Sequence, residues 1–560
     1  MNFDDGVYLG QCKLEIARLE HFLSLLKCVF VGARGCLVHS LSSQVYRSVN
    51  FGKKFTTQEP ICSLHWRANA FKVGAPPDIG TLREKIVQNL DKFYINGAWV
   101  TPSSDTDFPV LNPATEQQIG SITLGDEEDV DRAVAAANVA FESYSRTTKE
   151  ERLALLDNLL RVTKDGLEEM AQAMTAEMGA PISMSRDAQA DSGVGHLEGF
   201  IDALNSQDER ETLPNGDTLV REPIGVCGLI TPWNWPINQI ALKVIPALAA
   251  GCTCILKPSE HTPLSAVVYA EMIHRAEFPA GVFNLVQGDG PTVGAAMSRH
   301  PDIQMMSFTG SVRAGTLVAK DSADTVKRVT LELGGKSPNL VFADCELENR
   351  VTAAVQDCFY NTGQSCDAPT RLLVERSCYD EVVEIAQRAA EAHEVGDPAQ
   401  EGDHLGPLFD KIQYDRVQAW INIGIEEGAR LITGGPGKPD GFETGWYVKP
   451  TVFADVNNNM RIAREEIFGP VLTIIPFEDE AEAISIANDT LYGLAAYLQT
   501  GDPDRAERVA AQLRAGAVHI NGGGFNYGTP FGGYKQSGNG REGGRMGLDD
   551  YQEVKTLHFG

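Results

Sequence analysis

Three polar side chains have types and settings that could serve chemistry as well as packing. Cys366 lies in NTGQSCDAPT (361–370), between a glycine-rich approach and a proline, directly after a segment whose Val351, Ala354, Val355 and Phe359 share one helical face. A lone cysteine there is either a small buried hydrophobe or a thiol in a loop that Gly363 can bend close to a ligand. Glu332 lies in the apolar strand pattern of LELGG. It is either a strand-end glutamate facing solvent or an enclosed carboxylate, which is expensive, so that a raised pKa or a partner is expected and either suits a general base. Asn234 lies in TPWNWP (231–236), in a turn between two prolines, where its amide either stabilises the turn or offers a donor to a ligand. A thiol, a carboxylate and an amide of these kinds could attack a carbonyl, activate water and meet an oxyanion.

Such groups act only if the backbone brings them together. FYINGAWV, with Asn96-Gly97 between alternating apolar residues, predicts a tight hairpin. Helical patterns follow over roughly 126–144, 148–164 and 166–178, and ETLPNGDTLVRE (211–222) predicts two short strands forming a ribbon. From 226 to 334, apolar runs near 226–230, 252–257, 282–287, 303–309 and 328–333 alternate with helical stretches, which implies a parallel, doubly wound sheet. A second alternating block from 370 to 521, with strand patterns RLLVE, VLTIIPF, LAAYLQT and AGAVHIN, predicts a second α/β domain. Ligands of doubly wound sheets bind at the carboxyl ends of the strands. There the sequence places TPWNWP, KPSE, TGSVRAG and LELGG, although no G-x-G-x-x-G fingerprint opens the first turn.

The bulk properties narrow the function. At 560 residues the chain exceeds one ordinary core, and its 43% apolar and 22% charged residues are those of a conventional globular protein. A net charge of −28, with no basic run to offset it, disfavours nucleic acid and anionic membranes as partners. Eleven cysteines without paired C-x-x-C motifs fit a reduced compartment, so the cytoplasm is expected, and Cys227, Cys252, Cys254, Cys345, Cys358 and Cys378 are read as core filler. No histidine or cysteine cluster has metal-ligand spacing, so no metal is expected. Residues 1–80 differ from the rest: nine Lys/Arg against six Asp/Glu, and no convincing targeting signal or membrane span. They are expected to be a weakly ordered extension, a start placed too far upstream, or a regulatory tail.

PWNWP (232–236), LKPSE (256–260), FTGSVRAG (308–315), LELGGKSP (331–338), GQSC (363–366), EEIFGPV (465–471) and PFGGYKQSGNGRE (530–542) occur together and in order. With these motifs the chain, from about residue 91 to its end, resembles the NAD(P)-dependent aldehyde dehydrogenases of the hydrolytic superfamily. The resemblance implies a Rossmann-type cofactor domain over 90–205 and 224–334, a catalytic domain over 335–540, and oligomerisation elements at 206–223 and 541–560. It implies that Cys366 is the nucleophile, that Asn234 forms the oxyanion hole with the Cys366 N–H, and that Glu332 activates the water that releases the acid from a thioester. Glu542 matches a position that assists proton transfer in some relatives. For the cofactor it implies Thr231, Trp233, Lys257, Ser259, Glu260, Gly290, Gly310, Ser311, Leu333, Glu466 and Phe468, with NAD favoured over NADP because Glu260 would repel a 2′-phosphate. Gly310 and Ser311 would offer backbone N–H groups to the pyrophosphate. Trp235, Asn238, Tyr360, Ser365, Phe525 and Phe531 would line the aldehyde tunnel, and a homodimer or homotetramer is expected. The alternatives are a CoA-acylating relative, against which Glu332 speaks, and a structural or binding member of the fold without turnover.

Overall fold

A computed structural model describes residues 89–559; the extension expected over 1–80 lies outside the described residues. The hairpin is β1 (Phe93–Ile95) and β2 (Ala98–Val100), paired antiparallel, with Asn96 and Gly97 both left-handed (φ 53° and 78°) as a two-residue primed turn requires. A second antiparallel pair follows, β3 (Thr106–Leu111) and β4 (Gln118–Leu124), then helices Glu127–Tyr144, Lys149–Asp165, Leu167–Met178 and Asp191–Ser206. The ribbon is β5 (Arg210–Thr212) and β6 (Thr218–Pro223).

The five apolar runs become β7 (Val226–Ile230), β8 (Thr253–Lys257), β9 (Phe283–Leu285), β10 (Met305–Thr309) and β11 (Arg328–Glu332). Their residues are buried almost without exception, because helices cover both faces of a parallel sheet. Two of those helices, Pro236–Ala250 and Pro263–Arg275, begin on a proline whose missing N–H is no loss in a first turn. A third, Val312–Ser322, is capped by the Ser311 hydroxyl, which accepts from the Ala314 N–H.

The second sheet holds β12 (Pro338–Val341), β13 (Arg371–Glu375), β14 (Arg430–Thr433), β15 (Thr451–Ala454), β16 (Val471–Phe477), β17 (Ala495–Gln499) and β18 (Ala517–Ile520), in the order β14-β15-β16-β13-β12-β17-β18. Two short strands from the end of the chain join other sheets. β19 (Gly538–Asn539) completes the first, in the order β19-β11-β10-β7-β8-β9-β1-β2, and β20 (Gln552–Leu557) lies against β6 in a three-stranded sheet. The first sheet is therefore parallel across its centre and antiparallel at both edges. No helix among the described residues is long and apolar enough to cross a membrane.

Candidate active site

Strand order fixes where the site must be. β7 lies between β8 and β10, so the chain leaves it to one side and returns on the other, opening a crevice at the carboxyl ends of β7 and β10. Residues 231–235 follow β7, 257–260 close β8, 310–311 follow β10, and Glu332 ends β11, level with Thr309 of β10. Cys366 arrives from the other sheet, in the loop between helix Leu347–Phe359 and β13.

That loop is held in an unusual conformation. Asn361, Thr362 and Gly363 are successively left-handed (φ 52°, 55° and 70°), and a Cβ on Gly363 would come within 2.2 Å of the Gly469 carbonyl oxygen. Side-chain amides hold the turn in place. Gln364 donates through Nε2 to the Asn361 carbonyl (3.1 Å) and accepts at Oε1 from the Phe409 N–H (3.1 Å). Asn234 donates through Nδ2 to the Gln364 carbonyl (2.9 Å), and Asn361 donates to the Asn234 carbonyl (2.9 Å). Asn234 is thus buried and tied to the loop that carries Cys366, with the second hydrogen of its amide uncommitted. Gly335 lets LELGG approach the same loop, since a Cβ there would lie 2.2 Å from the Cys366 carbonyl oxygen. Burial, then the charges of Asp367, Glu466 and Glu332, push the Cys366 thiol well above its usual range, and its own backbone N–H opposes the rise.

Glu332 is 4% exposed, and neither carboxylate oxygen has a hydrogen-bond partner. Burial raises its pKa well above the ordinary value; Glu542 adds to the rise, while Lys243 and Arg541 oppose it. Gly532 leaves it room, for a Cβ there would meet Glu332 Oε1 at 2.5 Å. Glu542 is paired with the wholly buried Lys243, which also donates to the Ser307 hydroxyl (3.2 Å). Glu542 is fixed by two backbone hydrogen bonds with Phe531 (2.6 and 2.7 Å). The sequence carries one signal for Lys243, a lone lysine inside the apolar run PINQIALKVIPALAA, where a buried charge needs an acid beside it.

The residues expected around a dinucleotide lie on this rim. Lys257 is buried and donates to the carbonyls of Pro258 (2.7 Å) and Gly288 (2.5 Å), with Glu260 Oε2 at 3.4 Å. Burial lowers its pKa and the Glu260 charge resists. Thr231 is buried and donates its N–H to the Lys257 carbonyl, and Ser259 Oγ accepts from the His261 N–H. Gly290 opens a helical turn capped by Asp289, with nothing within 4 Å of a Cβ position. Gly310 differs from expectation: its N–H is spent on the Glu332 carbonyl (3.0 Å), so the open donors are the N–H groups of Ser311, Val312 and Arg313, ahead of the capped Ala314. Leu333 is buried and donates its N–H to the Ser537 carbonyl. Glu466 accepts from the Gly335 N–H (3.0 Å), and burial pushes its pKa up to about 7 against Gly335, Arg416 and Lys336. Trp233 stacks on Phe409 (3.6 Å between centroids) and meets the edge of Phe468. Phe409 was not foreseen.

Cys366 opens onto a cavity of about 440 Å³. Trp235, Asn238, Tyr360, Ser365, Phe525 and Phe531 all line it, and Trp235 Nε1 donates to the Ser365 hydroxyl (2.9 Å). The wall also holds residues that the sequence did not single out, among them His196, Gln239, Asp357, Asp367 and Tyr527. Among the described residues no group of His, Cys, Asp and Glu is arranged to hold a metal ion.

Residues 99–557 match the aldehyde dehydrogenase family. A 3-succinoylsemialdehyde-pyridine dehydrogenase from a Pseudomonas species is 53% identical over 468 residues, 83% of this chain and 98% of that protein. Aldehyde dehydrogenase C from Pseudomonas syringae, solved with NAD+ and octanal, is 50% identical with a TM-score of 0.83, covering 84% of this chain and 97% of that one. An NAD+ complex of an aldehyde dehydrogenase from Bacillus cereus is 40% identical with a TM-score of 0.82, covering 85% and 98%. The chain belongs to the aldehyde dehydrogenase family: it is an enzyme that oxidises an aldehyde to the acid.

Proposed function

We propose that Cys366 attacks the aldehyde carbon, with the charge formed on oxygen met by the free Asn234 amide hydrogen and the Cys366 backbone N–H, and that Glu332 removes the proton from the water that later cleaves the thioester. One observation carries this reading: a single loop holds Cys366 at the end of a substrate-sized cavity, with Asn234 bonded to that loop and a partnerless, buried Glu332 near enough to shift the thiol. The aldehyde carbon needs the thiol because an sp² carbonyl carbon does not readily give up hydride, whereas the tetrahedral thiohemiacetal does. Loss of hydride from that adduct, with the oxygen's electron pair re-forming the C=O bond, leaves a thioester on Cys366. Attack by the activated water then restores the thiol and releases the carboxylic acid.

The rim fits a dinucleotide in its donors and acceptors: Glu260 for ribose hydroxyls, the first turn of helix Val312–Ser322 for phosphate oxygens, and the free Oε2 of Glu466 for the second ribose. NAD+ supplies, when bound, the hydride acceptor. Glu260 favours the free 2′-hydroxyl over a 2′-phosphate. The cavity is of a size for aldehydes such as the octanal bound by the Pseudomonas syringae enzyme. We assign the cofactor domain to 90–205 and 224–334 and the catalytic domain to 335–540, each built on one large sheet, with β19 of the second segment added to the edge of the first sheet.

The test is NADH formation from NAD+ and a panel of aldehydes. Cys366→Ala should abolish it with every substrate while leaving the protein folded. NADH production by that variant at wild-type rate would remove the thiol from the mechanism.

A further inference from the structure

On the cavity wall, three polar side chains form a run of hydrogen bonds that none of the chemical steps uses. His196, from helix Asp191–Ser206, faces Asn238 across 3.1 Å between its Nε2 and the Asn238 Nδ2. Gln239 Nε2 donates in turn to Asn238 Oδ1 (3.4 Å). With the Asn238 oxygen engaged by Gln239, the amide nitrogen is the group that donates to the imidazole, so Nε2 accepts and the ring proton sits on Nδ1. Burial pushes the His196 pKa down to about 3, which keeps the ring neutral. Both ends of the run are unmet: His196 Nδ1 and Gln239 Oε1 are buried without a hydrogen-bond partner, and both residues line the cavity. His196 is wholly buried and Gln239 is 7% exposed.

Around this strip the wall is aromatic. Tyr527 and Phe525 meet the His196 ring edge-on (4.9 and 5.9 Å between centroids), and a Cβ on Gly195 would strike Tyr527, so the helix is pressed against that ring. A buried donor without a partner is unusual enough in folded proteins to need a reason, and a ligand acceptor is one. A neutral, fixed N–H among aromatic rings suits a neutral acceptor, for no charge on the strip compensates the burial of an ion.

We infer that His196, Asn238 and Gln239 read the tail of the substrate: the preferred aldehyde carries a neutral hydrogen-bond acceptor such as a ketone carbonyl, placed to receive the His196 Nδ1–H. His196 is the specificity-determining donor. Asn238 positions it by fixing the tautomer, and Gln239 fixes the sense of the Asn238 amide. This rests on the reading that the aldehyde reaches Cys366 through this cavity.

The test compares kcat/KM for matched pairs, 4-oxopentanal against pentanal and 5-oxohexanal against hexanal, with 4-(trimethylammonio)butanal as the charged control. NADH formation from pentanal by the wild type tests the cavity and Cys366 reading by itself; the ratio within each pair tests the strip and cancels any general loss of activity. At least one keto aldehyde should exceed its alkyl partner by about tenfold or more in the wild type, the scale at which a site built around a hydrogen bond rejects the analogue lacking it. His196→Phe, which keeps an aromatic ring and removes the donor, should bring that ratio to within about threefold of unity, chiefly through KM. Asn238→Leu should lower the ratio as well, and it carries the test if the phenylalanine variant fails to fold. Parity within the pairs in the wild type, an undiminished ratio in either folded variant, or a preference for the ammonium aldehyde, which would turn attention to Asp357 and Asp367 on the same wall, would each overturn the assignment.

Discussion

Glu332 and Cys366 are acids whose buried surroundings both favour the protonated form. Each is raised by burial and by the charge of nearby carboxylates, so the surroundings of both disfavour the thiolate and the carboxylate. Their titrations are linked, and a pH profile reports the pair. A Glu332 that must be deprotonated to take a proton from water makes deacylation rise with pH through its elevated pKa. Lys243, set against Glu542, tempers that elevation. Glu332→Gln should therefore form up to one NADH per site in a burst, accumulate an acyl adduct on Cys366 visible in the intact mass, and then turn over slowly, its deacylation lacking the wild-type rise with pH. Steady turnover at the wild-type rate without an adduct would exclude Glu332 as the base and make Glu542 the next to test.

A buried carboxylate also closes one of the helices that support this site. Glu177, at the end of helix Leu167–Met178, accepts from the N–H groups of Leu264 (2.6 Å) and Ser265 (3.0 Å), in the first turn of helix Pro263–Arg275. Burial nonetheless pushes its pKa up to about 8 against those donors. The folded state then holds a proton that the unfolded chain has already lost above its ordinary value of 4.5, so this group's stabilisation is full below that value and declines as pH rises towards 8. Glu177→Gln should flatten the fall in thermal midpoint between pH 5.5 and 8 relative to the wild type. An unchanged difference would show that Glu177 is ionised throughout. Elements of this kind were legible in part. The five buried strands of the first sheet announced themselves as apolar runs, and Asn96-Gly97 as a hairpin turn. β3 and β4 did not, because they are an only partly buried pair with Pro109 inside, carrying neither a long apolar run nor a clean alternation. β12 is four residues beginning on a proline, and β14 is exposed on the sheet edge. In the site, motifs gave the positions of Cys366, Glu332 and Asn234. Lys243 showed only as a lone charge in an apolar run, its partner Glu542 lying 299 residues away, and His196 and Phe409 could be found only from contacts between segments far apart in sequence.

At the scale of the whole molecule, the three-stranded sheet β20-β6-β5, like the pair β3-β4, stands outside both large sheets. β20 pairs with β6 along six residues, from Gln552 opposite Pro223 to Leu557 opposite Thr218, while β5 covers three residues of the other side. Both outer strands are exposed: all of β5, and most of β20, where Val554 is 59% exposed. Open strand edges invite pairing, and a ribbon projecting a bare edge is an element that a second copy of the chain can continue. We therefore expect a homodimer or homotetramer, built partly by these edges. The acidity of the chain opposes that assembly, since residues 81–560 carry −31 of charge against +3 for residues 1–80. Salt screens such repulsion at distances beyond about 8–10 Å near physiological ionic strength, so association should strengthen rather than weaken as salt is raised. Light scattering at micromolar concentration should give two or four times the 60.8 kDa chain mass. Deleting residues 552–560 strips β6 of its longer partner and should shift the population towards monomer while the cavity and its lining, all from residues before 552, stay intact. A monomeric wild type, or a truncated protein whose assembly is unchanged at any salt, would show that the subunits meet elsewhere.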